Sequence, residues 1–129
     1  MPSSKSNSLW QSFRCAFAGI RDVIKVGRNA KIQFVIAAIV VTASLWLPLS
    51  RTDWAILSLT IGAIIAAEAA NTAIEFVVDL VSPDHHELAR RAKDAAAGAV
   101  LILAMIAVIV GGLILGPPLF STAWQSPSR

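Results

Sequence analysis

The feature that most constrains this chain is its three long apolar runs, at residues 32–50, 54–81 and about 95–116. As a helix, each run is long enough to cross a hydrocarbon core of ~30 Å, which takes about 20 residues. Hydrophobic residues make up 56% of the chain and charged residues only 15%, with a mean hydropathy of +0.67. These values exclude an ordinary soluble domain and predict an all-α membrane protein with three transmembrane helices.

A further helix is predicted ahead of the apolar runs, over residues 9–28. Apolar side chains recur there at helical spacing, and basic side chains occupy other parts of the helical wheel. Aromatic anchors combined with positive charge favour a helix that lies on the membrane surface over one packed on a soluble core. The apolar positions are Leu9, Phe13, Phe17, Ile20 and Ile24, and the basic ones are Arg14, Arg21, Lys25 and Arg28.

The limits of the predicted domain follow from composition and from proline. Residues 1–8 are polar and are predicted to be disordered. Gly-Pro-Pro at 116–118 is predicted to end the third span, because proline removes backbone donors and clashes with the preceding turn. We therefore expect one domain over residues 9–116, followed by a loose tail over 117–129.

Lys and Arg are distributed unevenly along the chain. Nine of the eleven lie before the first span or between the second and third, and the other two are Arg51 and Arg129. Cytoplasmic loops carry the excess of Lys and Arg in membrane proteins. The N-terminus and the loop over 82–93 are therefore expected to face the cytoplasm.

Four polar residues interrupt the second span: Glu68, Asn71, Glu75 and Asp79. At 100° per residue they share a stripe of about 80° on a helix that is otherwise mostly apolar. A rise of 1.5 Å per residue from Trp54 puts Glu68 about 21 Å into the membrane and Glu75 about 31 Å, close to the cytoplasmic interface. Ionisable groups within a membrane usually mark functional sites. Snorkelling to the interface explains Asp79, but it does not explain Glu68.

A second polar cluster, Lys93-Asp94, is expected at the cytoplasmic start of the third span. Ser82-Pro83 ahead of it resembles a helix N-cap and first turn. Backbone amides at a helix N-terminus favour phosphate, and a nearby lysine strengthens that preference. Beside the carboxylate stripe, this cluster indicates phosphoryl transfer to the hydroxyl of a lipid headgroup. The buried glutamate would take the proton, and the interfacial acid would hold Mg²⁺ on the nucleotide phosphates.

Two other motifs lack the residue spacing of a metal or phosphate site. His85 and His86 are adjacent, whereas two ligands on one helix face are spaced by three or four residues. We interpret them as loop residues near the site. The glycine-rich stretch over 111–116 lacks the Lys-Ser/Thr that follows in a phosphate-binding loop, so it is interpreted as a packing feature.

Small residues recur at four-residue steps on the second span, at Gly62, Ala66 and Ala70. Such steps allow transmembrane helices to approach closely. Three transmembrane helices are too few to enclose both a nucleotide and a lipid. We therefore expect a neighbouring subunit to shield the Glu68 stripe from lipid.

The stretch EAANTAIEFVVD at 68–79, followed by HHELARRAKDAAAGAV at 85–100, resembles the prokaryotic diacylglycerol kinase family, which also contains the undecaprenol kinases. The similarity covers about residues 9–116, including FAGIR of the surface helix. The motifs E-x-x-N-x-A-I-E-x-x-x-D and A-K-D are specific at this spacing. The resemblance implies a lipid kinase that uses ATP with Mg²⁺. It also implies a homotrimer in the bacterial inner membrane, with active sites between subunits on the cytoplasmic side.

The resemblance also implies roles for individual residues. Glu68 matches the proposed general base, Glu75 a metal-binding glutamate, and Asn71 the asparagine beside them. The expected nucleotide contacts are Asp79, Asp84, His85, His86, Lys93 and Asp94. The expected contacts with the lipid headgroup are Asn29, Lys31 and Gln33.

The chain departs from the family pattern at the end of the surface helix. The family often has a second metal-binding glutamate there, and this chain has Gly27. Glu68 and Glu75 lie two helical turns apart, about 10.5 Å along the axis, so they cannot hold one ion together. Any Mg²⁺ would then depend on Glu75 and the substrate phosphates.

The sequence does not decide which lipid is the substrate, and it leaves two other functions as alternatives. The segments NTAIE and KDAAAGAVL are closer to the undecaprenol kinases, but diacylglycerol and undecaprenol both stay as candidate substrates. A small channel subunit with Glu68 as a pore carboxylate is an alternative, as is a non-catalytic membrane assembly protein. The basic surface helix and the Lys93-Asp94 cluster favour the kinase over a channel, because a pore needs neither.

Overall fold

The computed structural model describes residues 9–124, apart from the side chains of Arg28 and of residues 122–124, and these residues form an all-helical structure. The helices in chain order are α1 (Leu9–Val26), α2 (Arg28–Ser44), α3 (Arg51–Val81) and α4 (Glu87–Trp124). α3 contacts each of the other three and is the centre of the bundle. The predicted all-α class is confirmed. The predicted disordered segment over 1–8 lies outside the described residues.

The helix lengths differ from the predicted spans. α3 and α4 are long and apolar enough to cross a membrane, and a third span results if the bent pair α1 and α2 counts as one. α3 has 31 residues and α4 has 38, about 46 Å and 57 Å in length, so both extend beyond a ~30 Å core. α2 has 17 residues and reaches only about 25 Å. It ends at Ser44 rather than at residue 50, because residues 45–50 form the turn into α3.

The orientation of α1 fits the predicted surface position. The axes of Leu9–Val26 and Asn29–Ser44 differ in direction by 104°. A helix lying in a membrane surface meets one that crosses the membrane at about a right angle. No described residue of α1 is buried, and its aromatic side chains Phe13 and Phe17 are exposed. α1 therefore presents an apolar face that an interfacial lipid layer can cover.

Gly27 occupies the bend between α1 and α2, where space is short. Its backbone is extended, with φ −75° and ψ 112°, a conformation open to any residue. A Cβ atom at this position, however, would lie 2.9 Å from the Ala30 Cβ atom and 2.9 Å from the Val23 carbonyl oxygen. Glycine is needed here because of this close approach.

α3 begins with a reciprocal cap. The Ser50 hydroxyl accepts a hydrogen bond from the Asp53 backbone amide at 3.1 Å, and the Asp53 carboxylate accepts one from the Ser50 amide at 2.9 Å. This arrangement is a capping box, with aspartate at the third helical position. The Ser-Arg-Thr-Asp sequence at 50–53 carries the signal for this cap.

The start of α4 corrects the prediction for Ser82-Pro83. Ser82 is the C-cap of α3, and its hydroxyl donates to the Asp84 carbonyl oxygen at 3.2 Å. α4 begins at Glu87, where His86 Nδ1 accepts a hydrogen bond from the Leu88 amide at 3.2 Å. The histidine ring thus takes the capping role predicted for a serine. As a result, Lys93 and Asp94 lie in the second turn of α4 and not at its amide terminus.

The end of α4 also differs from the prediction. The helix passes through Pro117 and Pro118 and continues to Trp124, so residues 117–124 are helical rather than loose. The Ser121 hydroxyl donates to the Pro118 carbonyl oxygen at 3.0 Å and supplies a hydrogen bond in this turn. Helical structure satisfies backbone groups locally, which explains why prolines are tolerated in apolar helices of this kind.

Candidate active site

The polar stripe of α3 runs from a buried end to an exposed end. Glu68, Asn71 and Thr72 are buried, with 4%, 7% and 3% of their surface exposed. Glu75 is half-buried, and Asp79 is exposed. The stripe therefore leads from solvent at one end into the interior of a single chain.

The first turn of α2 covers Glu68. The backbone amide of Ala30 donates to the Glu68 carboxylate, and Ala30 itself is only 1% exposed. The single chain already buries Glu68 itself. For the half-buried Glu75 and the exposed Asp79, cover by a neighbouring subunit stays a prediction. None of the ion pairs between described residues involves Glu68. The carboxylate is therefore held by a backbone amide and keeps no fixed cation.

Thr72 belongs to the same buried set, although it is not one of the four residues of the predicted stripe. Its hydroxyl donates to the Glu68 carbonyl oxygen at 3.0 Å, one helical turn back. The signal was present, since Thr72 lies four residues after Glu68 and therefore on the same face. We assign it a packing role, because its hydrogen bond is satisfied within α3.

Asn71 and Glu75 are joined directly. Asn71 Nδ2 donates to Glu75 Oε1 at 3.0 Å, which fixes the orientation of both side chains. Asn71 Oδ1 is buried and has no hydrogen-bond partner among the described residues. A buried acceptor left unpaired costs about 1–3 kcal/mol. This oxygen therefore offers a place for a donor from a ligand or a water molecule.

The side chains in this region suit a metal ion whose coordination is completed by substrate phosphates. Among residues 9–124, no group of three or more His, Cys, Asp or Glu side chains could hold an ion by itself. Mg²⁺ usually takes one or two carboxylates and keeps its other positions for phosphates and water. Glu75 fits this pattern, because it is half-buried and one of its oxygens is oriented by Asn71.

Lys93 joins the exposed end of the stripe. Its ammonium group pairs with the Asp79 carboxylate at 2.5 Å, which links α4 to α3. Asp94, predicted to act beside Lys93, instead pairs with Arg90 at 2.7 Å on the exposed side of α4. The structure thus brings together Lys93 and Asp79, while Asp94 points along its own helix toward Arg90.

The loop residues predicted to contact nucleotide are all exposed: Asp84, His85 and His86. His86 also lines a shallow groove between the end of α3 and the start of α4, formed mainly by Val77, Val78, Val81, Leu88 and Ala89. Because His86 Nδ1 caps α4, its ring is held at the edge of this groove.

The three residues predicted at the lipid headgroup are separated in the structure. Asn29 and Lys31 are exposed in the first turn of α2. Gln33, one turn further, faces a cavity of about 310 Å³ between α2, α3 and α4, and its Oε1 is buried without a partner among the described residues. The three residues therefore do not form one cluster, and Gln33 alone reaches the interior.

Comparison with known proteins agrees with these features. The family model described as prokaryotic diacylglycerol kinase matches residues 14–115. The chain is 47% identical to a diacylglycerol kinase of Synechocystis over 88% of this chain and 66% of that protein, which is just under two thirds of its length. It is 42% identical to an undecaprenol kinase of Bacillus subtilis over 88% of this chain and 92% of that one. A diacylglycerol kinase of Escherichia coli is 35% identical over 82% of this chain and 81% of that protein.

These matches cover α1 from Arg14, all of α2 and α3, and most of α4, so they include the buried stripe and the Lys93 pair. On the extent of the family match and the identities, this chain belongs to the prokaryotic diacylglycerol kinase family.

Proposed function

We propose that this protein is a lipid kinase that transfers the γ-phosphoryl group of ATP to the hydroxyl of a membrane lipid. The observation that carries the proposal is Glu68, a carboxylate buried within a membrane helix and without a cation partner among the described residues. Ionisable groups placed in this way usually serve function. Family membership favours the kinase over a channel or a non-catalytic assembly protein.

Glu68 is proposed as the general base. The lipid hydroxyl gives its proton to the Glu68 carboxylate as its oxygen attacks the γ-phosphorus atom. The bond from that phosphorus to the bridging oxygen of ADP breaks, and ADP leaves. Proton transfer to a positioned base typically contributes ~10²–10⁴-fold to the rate. The Ala30 amide holds the carboxylate in place, and Asn71 Oδ1 is available to accept a hydrogen bond from the substrate.

Mg²⁺ is the proposed cofactor, and Glu75 is the residue that would hold it. When bound, the ion would neutralise the charge on the nucleotide phosphates. The hydrogen bond from Asn71 orients the Glu75 carboxylate along the polar stripe. With Gly27 at the bend, the protein would contribute a single carboxylate to the ion.

The nucleotide is proposed to bind at the exposed end of the stripe. Lys93 lies there with Asp79, and its ammonium group could exchange that carboxylate for a phosphate. The groove beside His86 has apolar walls that suit the flat face of a base. Asp84, His85 and Asp94 stay as proposed contacts at the periphery of this region.

The proposed lipid substrate is diacylglycerol or undecaprenol. Relatives carrying each name match this chain at 47% and 42% identity, so the comparison does not separate them. Both lipids offer a hydroxyl at the membrane surface and hydrocarbon below it. We propose the bacterial inner membrane as the location, with the active site on the cytoplasmic side, where Lys and Arg are concentrated.

We also propose that the protein assembles as a homotrimer. Gly62, Ala66 and Ala70 are exposed small residues of α3 on the face opposite the polar stripe. Small residues on an exposed transmembrane face allow another helix to pack closely. A cysteine at Ala66, in a chain whose single cysteine Cys15 is replaced by serine, should form disulfide-linked species between copies.

The experiment that tests the function is phosphorylation of a total bacterial lipid extract by the purified protein with γ-labelled ATP. Mass spectrometry of the labelled product identifies the lipid. A labelled phosphatidic acid indicates diacylglycerol, and a labelled polyprenyl phosphate indicates undecaprenol. Absence of any labelled lipid, with folded protein and Mg²⁺ present, would contradict the proposal.

A further inference from the structure

The caps of the two long helices differ in chemistry. His86 occupies the N-cap position of α4: its carbonyl oxygen accepts from the Arg90 amide at 3.1 Å, and its Nδ1 accepts from the Leu88 amide at 3.2 Å. α3 is capped by the Ser50 hydroxyl and the Asp53 carboxylate. A hydroxyl keeps its charge near neutral pH, and a carboxylate ordinarily changes charge at about pH 4. Imidazole changes charge between about pH 5 and 8, so the cap of α4 responds to mild acid and that of α3 does not.

The hydrogen bond from Leu88 requires one protonation state of His86. Nδ1 accepts only when it carries no proton, so the ring is the neutral tautomer with its proton on Nε2. A protonated ring has a proton on both nitrogens and can only donate. Nδ1 would then face the Leu88 amide, which is also a donor, at the positive end of the α4 dipole. Protonation therefore removes the cap and adds a repulsion at the same place.

The charged groups around His86 do not offset this repulsion. They come from the end of α3, the loop and the first two turns of α4: Glu75, Asp79, Asp84, His85, Glu87, Arg90, Arg91, Lys93 and Asp94. Arg90 pairs with the carboxylates on either side of it along α4, and Lys93 pairs with Asp79. No ion pair between described residues involves His86, and the groove residues that α3 contributes are all apolar. The imidazolium would therefore have no fixed counter-ion.

The first turn of α4 also forms part of the groove beside His86. Leu88 and Ala89 come from this turn, and three valines of α3 supply most of the remaining lining. When the turn frays, this wall of the groove moves with it. Lys93 lies further along α4 and is paired with Asp79, so the loosening should stop before Lys93.

We propose that His86 is a proton-sensitive cap of α4. Its neutral form holds the first turn of α4 and the groove wall that this turn carries, and its protonated form releases both. Because only the neutral form accepts the hydrogen bond, its contribution to stability is present above the titration range and is lost as the pH falls through it. An ordinary imidazole titrates at about pH 6.5, so the turn should be held at about pH 7.5 and loosened at about pH 5.5. The cap itself is independent of the proposed kinase function, and only its effect on nucleotide binding rests on that function.

The test compares two replacements of His86 that do not titrate. The side-chain oxygen of asparagine is a good N-cap acceptor and carries no charge, so His86→Asn should keep the cap in acid. His86→Ala has no acceptor and should lack the cap at every pH. His85→Asn is the matched control, because it removes the neighbouring imidazole and leaves the cap in place.

The first measurement is amide hydrogen exchange at Leu88 and Arg90, followed by NMR of the full chain in lipid nanodiscs at about pH 5.5 and 7.5. Proteins are compared at the same pH, because the intrinsic exchange rate depends on pH. At the higher pH the wild type should match His86→Asn, and His86→Ala should exchange about fivefold faster, as expected for the loss of one cap. At the lower pH the wild type should match His86→Ala instead, and His85→Asn should behave like the wild type throughout.

Three results would overturn the proposal. One is a wild type that matches His86→Asn at both pH values, and another is equal exchange in the two His86 variants. The third is loss of the pH response in His85→Asn, because the response would then belong to the other imidazole.

The second measurement links the cap to the groove. Kd is measured for ATP with Mg²⁺ and for inorganic triphosphate, and the ratio of wild type to His86→Asn cancels the titration of the phosphates themselves. From about pH 7.5 to 5.5 this ratio should rise about fivefold for ATP and stay constant for triphosphate, which has no base to place in the groove. A ratio for ATP that stays constant or falls would overturn the release of the groove wall. A cap that switches in hydrogen exchange, in a protein that does not bind ATP, would uphold the proton-sensitive cap and reject the proposed nucleotide site.

Discussion

The two halves of the α3 face that carries Glu68 differ in whether their polar groups have hydrogen-bond or ion-pair partners. In the half nearer the C-terminus of α3, Glu68 has no cation partner and Asn71 Oδ1 has no donor among the described residues. In the other half, Thr60 is polar but donates to the Ile56 carbonyl oxygen at 2.8 Å, within its own helix. Polarity alone therefore does not mark a site in a membrane helix. The informative groups are those whose hydrogen-bonding capacity the chain leaves open.

The strongest test of this comparison is Glu68→Gln. Glutamine keeps an oxygen that can accept from the Ala30 amide, so the bend and the fold should persist, while the base is removed. We expect kcat to fall ~10²–10⁴-fold with little change in nucleotide binding. Steady-state kinetics and nucleotide titration measure the two effects. A kcat near that of the wild type would reject Glu68 as the base.

Glu75→Ala should have the next largest effect. We expect a steep rise in the Mg²⁺ concentration needed for half-maximal activity, because Glu75 is the proposed single protein carboxylate on the ion. Asn71→Ala is the matched control, since it removes the hydrogen bond that orients Glu75 and keeps the carboxylate. It should shift the Mg²⁺ titration less. Overlap of the Glu75→Ala and wild-type curves would assign the ion to another residue.

Gly27→Glu asks whether the polar half of the α3 face can be supplied with a further carboxylate from the bend between α1 and α2. Any side chain at this position meets Ala30 and the Val23 carbonyl oxygen at 2.9 Å, so both Gly27→Glu and Gly27→Ala should lose about 1–3 kcal/mol of stability. Thermal unfolding measures this loss. Against the Gly27→Ala baseline, the glutamate should lower the Mg²⁺ needed for half activity. Equal Mg²⁺ requirements in the two variants would place position 27 away from the ion.

The smallest effect is expected for Thr60→Val. The substitution removes a hydroxyl that bonds only to its own helix and leaves the shape of the cavity wall nearly unchanged. Activity and thermal stability should therefore stay close to those of the wild type. A large loss of activity would mean that polar groups in the other half of the face also serve the substrate, and the contrast between the halves would fail.

The sequence predicted the helical class and the polar stripe because both depend on periodicity, which is local. It placed Glu68 deep in the second span, but it could not show that the first turn of α2 covers this side chain. Sequence spacing cannot show that the first turn of α2 folds back over α3, since that contact joins residues nearly forty positions apart. The same limit hid the position of Gln33, which lines the cavity between α2, α3 and α4 while Asn29 and Lys31 are exposed.

The errors at helix ends have a different cause. Ser82-Pro83 and Gly-Pro-Pro carry strong local preferences, and the structure overrides both. α3 continues through Val81, and His86 then caps α4. At the other end, α4 continues through two prolines. Helix propensity is a weak preference that packing and the need to satisfy backbone groups can outweigh.

The helical class, the apolar membrane character, the single polar stripe and the resemblance to a kinase family can all be inferred from the sequence. Each of these follows from composition, period or a local motif. The packing of the helices sets the rest: one chain suffices to bury Glu68, Lys93 pairs with Asp79, and an apolar cavity lies between α2, α3 and α4. The physical reason is that burial, ion pairing and empty volume are properties of helices in contact, and the contacts between α2, α3 and α4 are set by packing rather than by any one segment.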